Sequence, residues 1–175
     1  MTSPLIRAQQ AAAEADEALA ALFQTQYAGM VRLAVLLGAD DAEDIVAEAF
    51  YQLYRRWRKL RGADAAVPYL RSVVCNLTRM RLRHLQVVRK HATPETAAPS
   101  GSSAEAEALL HDDQRALVAA LKELPARQRE ALVLRHWLGL REAEIAEAMG
   151  ISPGAVKSHT SRGMAALTRV LEERR

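Results

Sequence analysis

Glu142-Ala143-Glu144-Ile145-Ala146-Glu147-Ala148-Met149-Gly150-Ile151-Ser152-Pro153-Gly154-Ala155-Val156-Lys157-Ser158-His159-Thr160-Ser161-Arg162 is the stretch that decides how the chain folds. Ile145, Met149, Ile151 and Val156 are spaced so that two short helices can close over a miniature core. Ala146 is small where the second helix must cross the first. Four residues on, Gly150 accepts a left-handed backbone position without a Cβ penalty. Ser152-Pro153 then starts a new helix, with serine as cap and proline at the first helical position. Two helices joined steeply through so short a turn form a helix-turn-helix. The apolar positions leave Lys157, Ser158, Ser161 and Arg162 projecting outward. Two cations and two hydroxyls on one face suit the phosphates and base edges of a DNA major groove.

Upstream of this motif, two more helices are expected. The first covers about 105–122, with Leu109, Leu110, Leu117, Val118 and Leu121. The second covers about 126–138, with Leu132, Val133, Leu134 and Trp137. Leu124-Pro125 separates them, and Gly139 stops the second. The helix after Pro153 is expected to reach about Glu172. Residues 92–104 hold two prolines, a glycine and three serines but no large apolar side chain, which marks a linker. The chain therefore divides into an N-terminal extension over 1–18, a first domain over 19–91, a linker over 92–104 and a second domain over 105–175. With that linker, the two domains are expected to move independently.

In the first domain, Leu19, Leu22, Phe23, Tyr27, Met30, Val31 and Ala34 recur at three- and four-residue spacing, the signature of a helix with one apolar face. Gly38 ends it. Asp40 and Asp41 are placed to cap the next helix, with Glu43 and Asp44 in its first turn. That helix carries Ile45, Ala49, Leu53 and Trp57 at four-residue intervals, widened by Val46, Phe50 and Tyr54. Tyr54 and Trp57 are expected in the core, as large aromatics in a chain with few of them. A loop through Gly62 leads to a helix from about Pro68 to His84 or beyond, with Leu70, Val73, Val74, Leu77 and Met80 inside. Residues 1–18, rich in Ala and Gln, are read as a frayed helix or as lacking fixed structure. Good helix formers dominate throughout and β-branched runs are scarce, so the fold class is all-α: two small helical domains joined by a flexible linker.

The net charge of +3 conceals a strong asymmetry. Residues 1–54 carry two basic and eight acidic side chains, net −6, while residues 55–91 carry eleven basic and one acidic, net +10. So dense a positive block points to a polyanionic partner. The single cysteine, Cys75, cannot form an intrachain disulfide, and among Val73, Val74 and Leu77 it reads as a buried small hydrophobe. His84, His91 and His111 have no metal-ligand spacing with a cysteine and are read as surface residues, so no metal or cofactor is expected. No GxxxxGK[ST], HExxH or GxSxG motif occurs, and an enzyme is not expected. The N-terminus lacks the basic-then-apolar pattern of a signal peptide and no run of 18 apolar residues exists, so cytoplasmic residence is expected.

Together these segments resemble the extracytoplasmic-function sigma factors of RNA polymerase over roughly residues 20–172. Asp41-Ala42-Glu43-Asp44-Ile45-Val46-Ala47-Glu48-Ala49-Phe50, with Tyr54 and Trp57, resembles the family's region 2 helix that docks on the polymerase clamp. Tyr69-Leu70-Arg71-Ser72-Val73-Val74-Cys75-Asn76-Leu77-Thr78-Arg79, followed by Arg81 and Arg83, resembles its promoter-melting helix. Leu124-Pro125-Ala126-Arg127-Gln128-Arg129-Glu130-Ala131, Leu134-Arg135-His136-Trp137-Leu138-Gly139-Leu140 and the helix-turn-helix resemble region 4. The resemblance implies core-polymerase contacts at Asp44, Glu48 and Tyr51. It implies minus-ten DNA contacts at Arg61, Asn76, Arg79 and Arg83, where a flipped base is held, and minus-thirty-five contacts at Lys157, Ser158, Ser161 and Arg162. Partners would be core RNA polymerase through its clamp and flap, promoter DNA and an anti-sigma factor. The helix-turn-helix alone also fits a free-standing regulator of the LuxR kind. Three positions depart from the family pattern: Ala47 where Gln is common, Leu140-Arg141 where a Ser or Thr cap is common, and Thr160 where a leucine-like residue is common.

Overall fold

The computed structural model describes residues 4–91 and 112–174. The expected linker, residues 105–111 with Leu109 and Leu110, and His111 lie outside them. Seven α-helices and two short 3-10 turns make up the described residues, without a strand. They are α1 (Pro4–Leu36), α2 (Ala42–Arg56), α3 (Ala66–His91), α4 (Asp112–Glu123), α5 (Ala126–His136), α6 (Glu142–Met149) and α7 (Pro153–Glu173).

Helix α1 begins well before the expected Leu19, because Ala, Gln and Glu in the extension are strong helix formers that propagate an existing helix. By length and mean hydropathy it passes the test for a membrane span. Its C-terminal part nevertheless buries Met30, Leu33, Ala34 and Val35 in the core, and its exposed N-terminal part carries Glu14 and Glu17. Gly38 closes it at φ +101, with Gly38 N–H donating to the Val35 carbonyl and Ala39 N–H to that of Ala34, a Schellman stop.

On α2 the apolar stripe holds for Ile45, Val46, Ala49, Phe50 and Leu53, all buried against α1 and α3. Phe23 and Phe50 meet edge to face at 4.9 Å. Two expectations fail here. Tyr54 is 61% exposed rather than in the core, because it falls on the outer edge of the stripe, while Trp57 is half-buried. Asp41 holds the N-cap position but makes no cap hydrogen bond; its carboxylate turns to Arg81 at 2.9 Å instead. Helix α3 runs on to His91, and Met80, expected inside, is exposed because it lies on the outer face of α3, one turn from exposed Asn76, whose side-chain amide lies 3.8 Å from its sulfur. Cys75 is buried, as read from its neighbours.

The second half packs α5 and α6 on α7. Leu132, Val133, Leu134, Ile145, Met149 and Val156 form its core, whereas Trp137 is half exposed. Gly163 lets α7 approach α5 closely: a Cβ there would lie 3.1 Å from the Gln128 carbonyl oxygen. The two halves do not stand apart, although a linker between them led us to expect independent motion. Helix α6 packs on α3, and α4 packs on α1. Charged side chains make much of that junction, and patterning within either half carries no sign of it.

Candidate nucleic-acid interface

The helix-turn-helix is built as its spacing requires. Gly150 sits at φ +65, with its N–H on the Glu147 carbonyl at 3.3 Å and Ile151 N–H on that of Ala146 at 3.1 Å. This double closure ends α6 and aims α7. Ser152 Oγ accepts from Ala155 N–H at 3.1 Å, capping α7 ahead of Pro153. Where a Ser or Thr cap is missing, Glu144 substitutes from the other side: its carboxylate accepts the Arg141 backbone N–H at 2.8 Å. That hydrogen bond, then the Arg141 guanidinium, holds the Glu144 carboxyl below the usual carboxylate range. Thr160 Oγ1 donates to the Val156 carbonyl at 2.8 Å, so this polar replacement is satisfied within its own helix. Lys157, Ser161 and Arg162 are exposed on α7, and Ser158 is half-buried beside them.

In the first half, Asp44, Glu48 and Tyr51 lie exposed on one face of α2. Glu48 accepts from Gln52 at 3.1 Å, and the Arg55 guanidinium lies over the Tyr51 ring at 5.9 Å. An open cleft of about 310 Å³ runs between α2 and the start of α3, lined by Glu48, Gln52, Arg55, Arg56, Lys59 and Tyr69. Arg56 lies 5.6 Å from the centre of the Tyr69 ring. In the sequence Arg55, Arg56 and Lys59 stand out only as part of the basic block 55–91; the signal for this cleft is their pairing with an aromatic, Tyr69, one helix away.

The other expected DNA residues are not equally free. Arg61 is exposed in the loop before α3, next to Gly62 at φ +91, and Asn76 and Arg83 are exposed on α3. Arg79 is engaged. Its Nη2 donates to Glu130 Oε1 at 2.6 Å and its Nε to Oε2 at 3.3 Å, a two-pronged pair reaching from the first half into the second. Arg127 Nη1 donates to the same Glu130 at 3.2 Å and to the Met149 carbonyl at 3.1 Å. Arg129 is buried beside Gly38, its Nη1 on the Lys122 carbonyl at 3.2 Å, and burial lowers its pKa. Arg129 and Glu130 stand in the sequence only as part of the region 4 pattern; nothing local reveals that they meet the other half.

Residues 114–167 match the family model described as Sigma-70, region 4. The chain is 36% identical over 137 residues to the RNA polymerase sigma-E factor of Streptomyces coelicolor, covering 77% of this chain and 73% of that one. It is 28% identical over 152 residues to the ECF RNA polymerase sigma factor SigM of Mycobacterium tuberculosis, covering 86% and 75%. Its fold is similar to that of the sigma factor RpoE from Bartonella quintana, crystallised with the anti-sigma factor NepR. The TM-score is 0.66 at 23% identity, over 87% of this chain and 96% of that one.

Proposed function

The chain belongs to the extracytoplasmic-function RNA polymerase sigma factors, and on that premise we propose how its parts divide the work. As a member it binds core RNA polymerase and directs promoter recognition and transcription initiation. A free-standing regulator of the LuxR kind is not favoured, since the relatives named as sigma factors match well beyond the helix-turn-helix. The assignment of α2 to polymerase rests on its exposed face: Asp44, Glu48 and Tyr51 offer two carboxylates and an aromatic to a basic, helical surface. Arg61, Asn76, Arg79 and Arg83 are assigned to the minus-ten element, where an amide can read an unstacked base and guanidinium groups hold phosphates. Lys157, Ser158, Ser161 and Arg162 are assigned to the minus-thirty-five duplex. Residues 19–91 act as region 2 and 105–175 as region 4. The reading gives the chain no catalysis of its own, a cytoplasmic location and an anti-sigma factor as a further partner.

The observation that carries this division is that one half exposes an acidic helix face beside a basic helix while the other exposes a capped helix-turn-helix. Glu48→Lys tests it. Glu48 is exposed and, among the described residues, its carboxylate accepts from Gln52 alone, so the variant should fold. Reversing a charge at a matched interface should weaken core-polymerase binding about tenfold or more, roughly 1.4 kcal/mol. An unchanged dissociation constant in run-off and binding assays removes Glu48 from the interface.

A further inference from the structure

We propose that the free chain has a closed form in which its own helix-turn-helix half occupies Arg79 on the DNA-reading face of α3, with the Arg79–Glu130 pair as the latch. The inference rests on the assignment of that face to minus-ten DNA made above. Helix α6 packs on α3, and an open cleft of about 300 Å³ runs between them, lined by Ser72, Asn76 and Arg79 from one side and Glu147, Met149 and Gly150 from the other. Arg79, the candidate phosphate holder, therefore faces the second half of the chain, while Asn76, beside the same cleft, stays exposed.

Chemistry makes closure and DNA binding exclusive. The two Arg79 nitrogens that fork around Glu130 cannot also fork around a phosphate, and Glu130 would repel any phosphate brought to the same place. The Arg79 side chain is 17% exposed and that of Glu130 only 6%. Stranding either charge would be costly. The structure avoids that cost on opening. Arg127 also donates to Glu130 and is itself anchored on the Met149 carbonyl, so Glu130 keeps a cation within its own half. Arg79, on the other half, is released to a phosphate. The latch thus exchanges partners rather than losing them.

The remaining contacts across the junction fit a reversible closure. Lys122 pairs with Asp40 at 3.7 Å, and the Arg129 guanidinium packs so closely on Gly38 that a Cβ there would lie 3.0 Å from its central carbon. Interfaces between domains with so much charge are of the kind that open and close.

Glu130→Gln keeps the shape of the latch and removes its charge. Dyes on Gln86→Cys and Ala165→Cys report the distance between halves by energy transfer in the full chain, and buried Cys75 stays unlabelled. The ligand is a fluorescein-labelled single strand carrying the minus-ten element of a promoter the holoenzyme transcribes, followed by anisotropy. Glu130→Gln should lower the transfer efficiency and tighten binding at least threefold. In the converse arm, Ser72→Cys and Glu147→Cys joined by a short reducible cross-linker should bind at least tenfold more weakly until reduced; this arm needs no change at Glu130. Unchanged transfer in Glu130→Gln, opening without tighter binding, or a cross-linked chain that binds as well as the reduced one overturns the latch. Asn76→Ala in the Glu130→Gln background then separates the two failures. If it weakens binding, α3 is the reader and only the latch is wrong; if it does not, the assignment of α3 falls as well.

Discussion

Cys75 is 1% exposed, and its thiol is pushed up to about 12, first by burial and then by the charge of Glu130. Since the thiolate is the reactive form, alkylation of the native chain at pH 8 should run on the order of 10³ times slower than that of a free thiol. Fast labelling in the folded state would contradict the burial. Because the folded state favours the protonated thiol, its effect on stability is flat below the ordinary value of 9.0 and turns unfavourable as pH rises from there towards 12. Glu144 works in the opposite sense. Its carboxyl is held down by the Arg141 N–H, so its stabilisation is present above the ordinary carboxylate range and lost as pH falls through its folded value. Glu144→Ala should lower the melting temperature at pH 7, and the gap to the parent chain should shrink by pH 3. A gap that stays constant would mean the ionised carboxylate is not what caps α6. At this scale the sequence was legible where a side chain answers to its own helix. Ile45 and Val156 were placed correctly by their spacing, and Cys75 by its apolar neighbours. Asp41 and Tyr54 were not, because Asp41 answers to Arg81, forty residues away in sequence, and Tyr54 lies just past the edge of the α2 stripe.

Between elements, close approach matters more than pattern. The helix-turn-helix was readable because its glycine, small residue and apolar positions act within about twenty residues, and the structure satisfies all of them. The length of α1 was harder to see: an Ala-rich segment with no apolar face gives periodicity nothing to detect, although propensity alone extends the helix to Pro4. Gly163 shows what composition hides. It is buried in α7, and an added Cβ would lie 3.1 Å from both the Gln128 carbonyl oxygen and Leu132 Cγ on α5. Gly163→Val should force the two helices apart and destabilise the second half by about 1–3 kcal/mol. Gly154→Ala is the internal control, since a Cβ there meets nothing nearer than Ser152 Oγ at 4.0 Å, and it should hold or slightly raise the melting temperature. Equal melting of the two variants would show that the α5–α7 crossing tolerates a side chain.

For the whole molecule, the question is how two DNA-facing surfaces in one chain divide the promoter. How the halves sit together was not legible from sequence: Arg79 and Glu130 are 51 positions apart, and neither falls on an apolar stripe that would announce a contact. What each half is proposed to offer DNA differs in kind. Arg162 projects from a capped helix, and on the proposed reading it acts in an intact major groove, on duplex DNA before any strand separates. Asn76 lies on the basic helix that follows the Gly62 loop, a setting suited to an unstacked base and a displaced strand. Arg162→Ala should therefore weaken holoenzyme binding to the upstream element by about 1–3 kcal/mol if the guanidinium reads a base edge. Asn76→Ala should leave that first binding nearly intact and slow strand opening. The two defects separate on a template whose minus-ten region is already melted. Pre-opening supplies the unpaired strands, so transcription by Asn76→Ala should recover, while a lost major-groove contact upstream is untouched by a bubble downstream and Arg162→Ala should stay impaired. Recovery of both variants on the bubble template, or of neither, would sink this division between a duplex reader and a strand-opening reader.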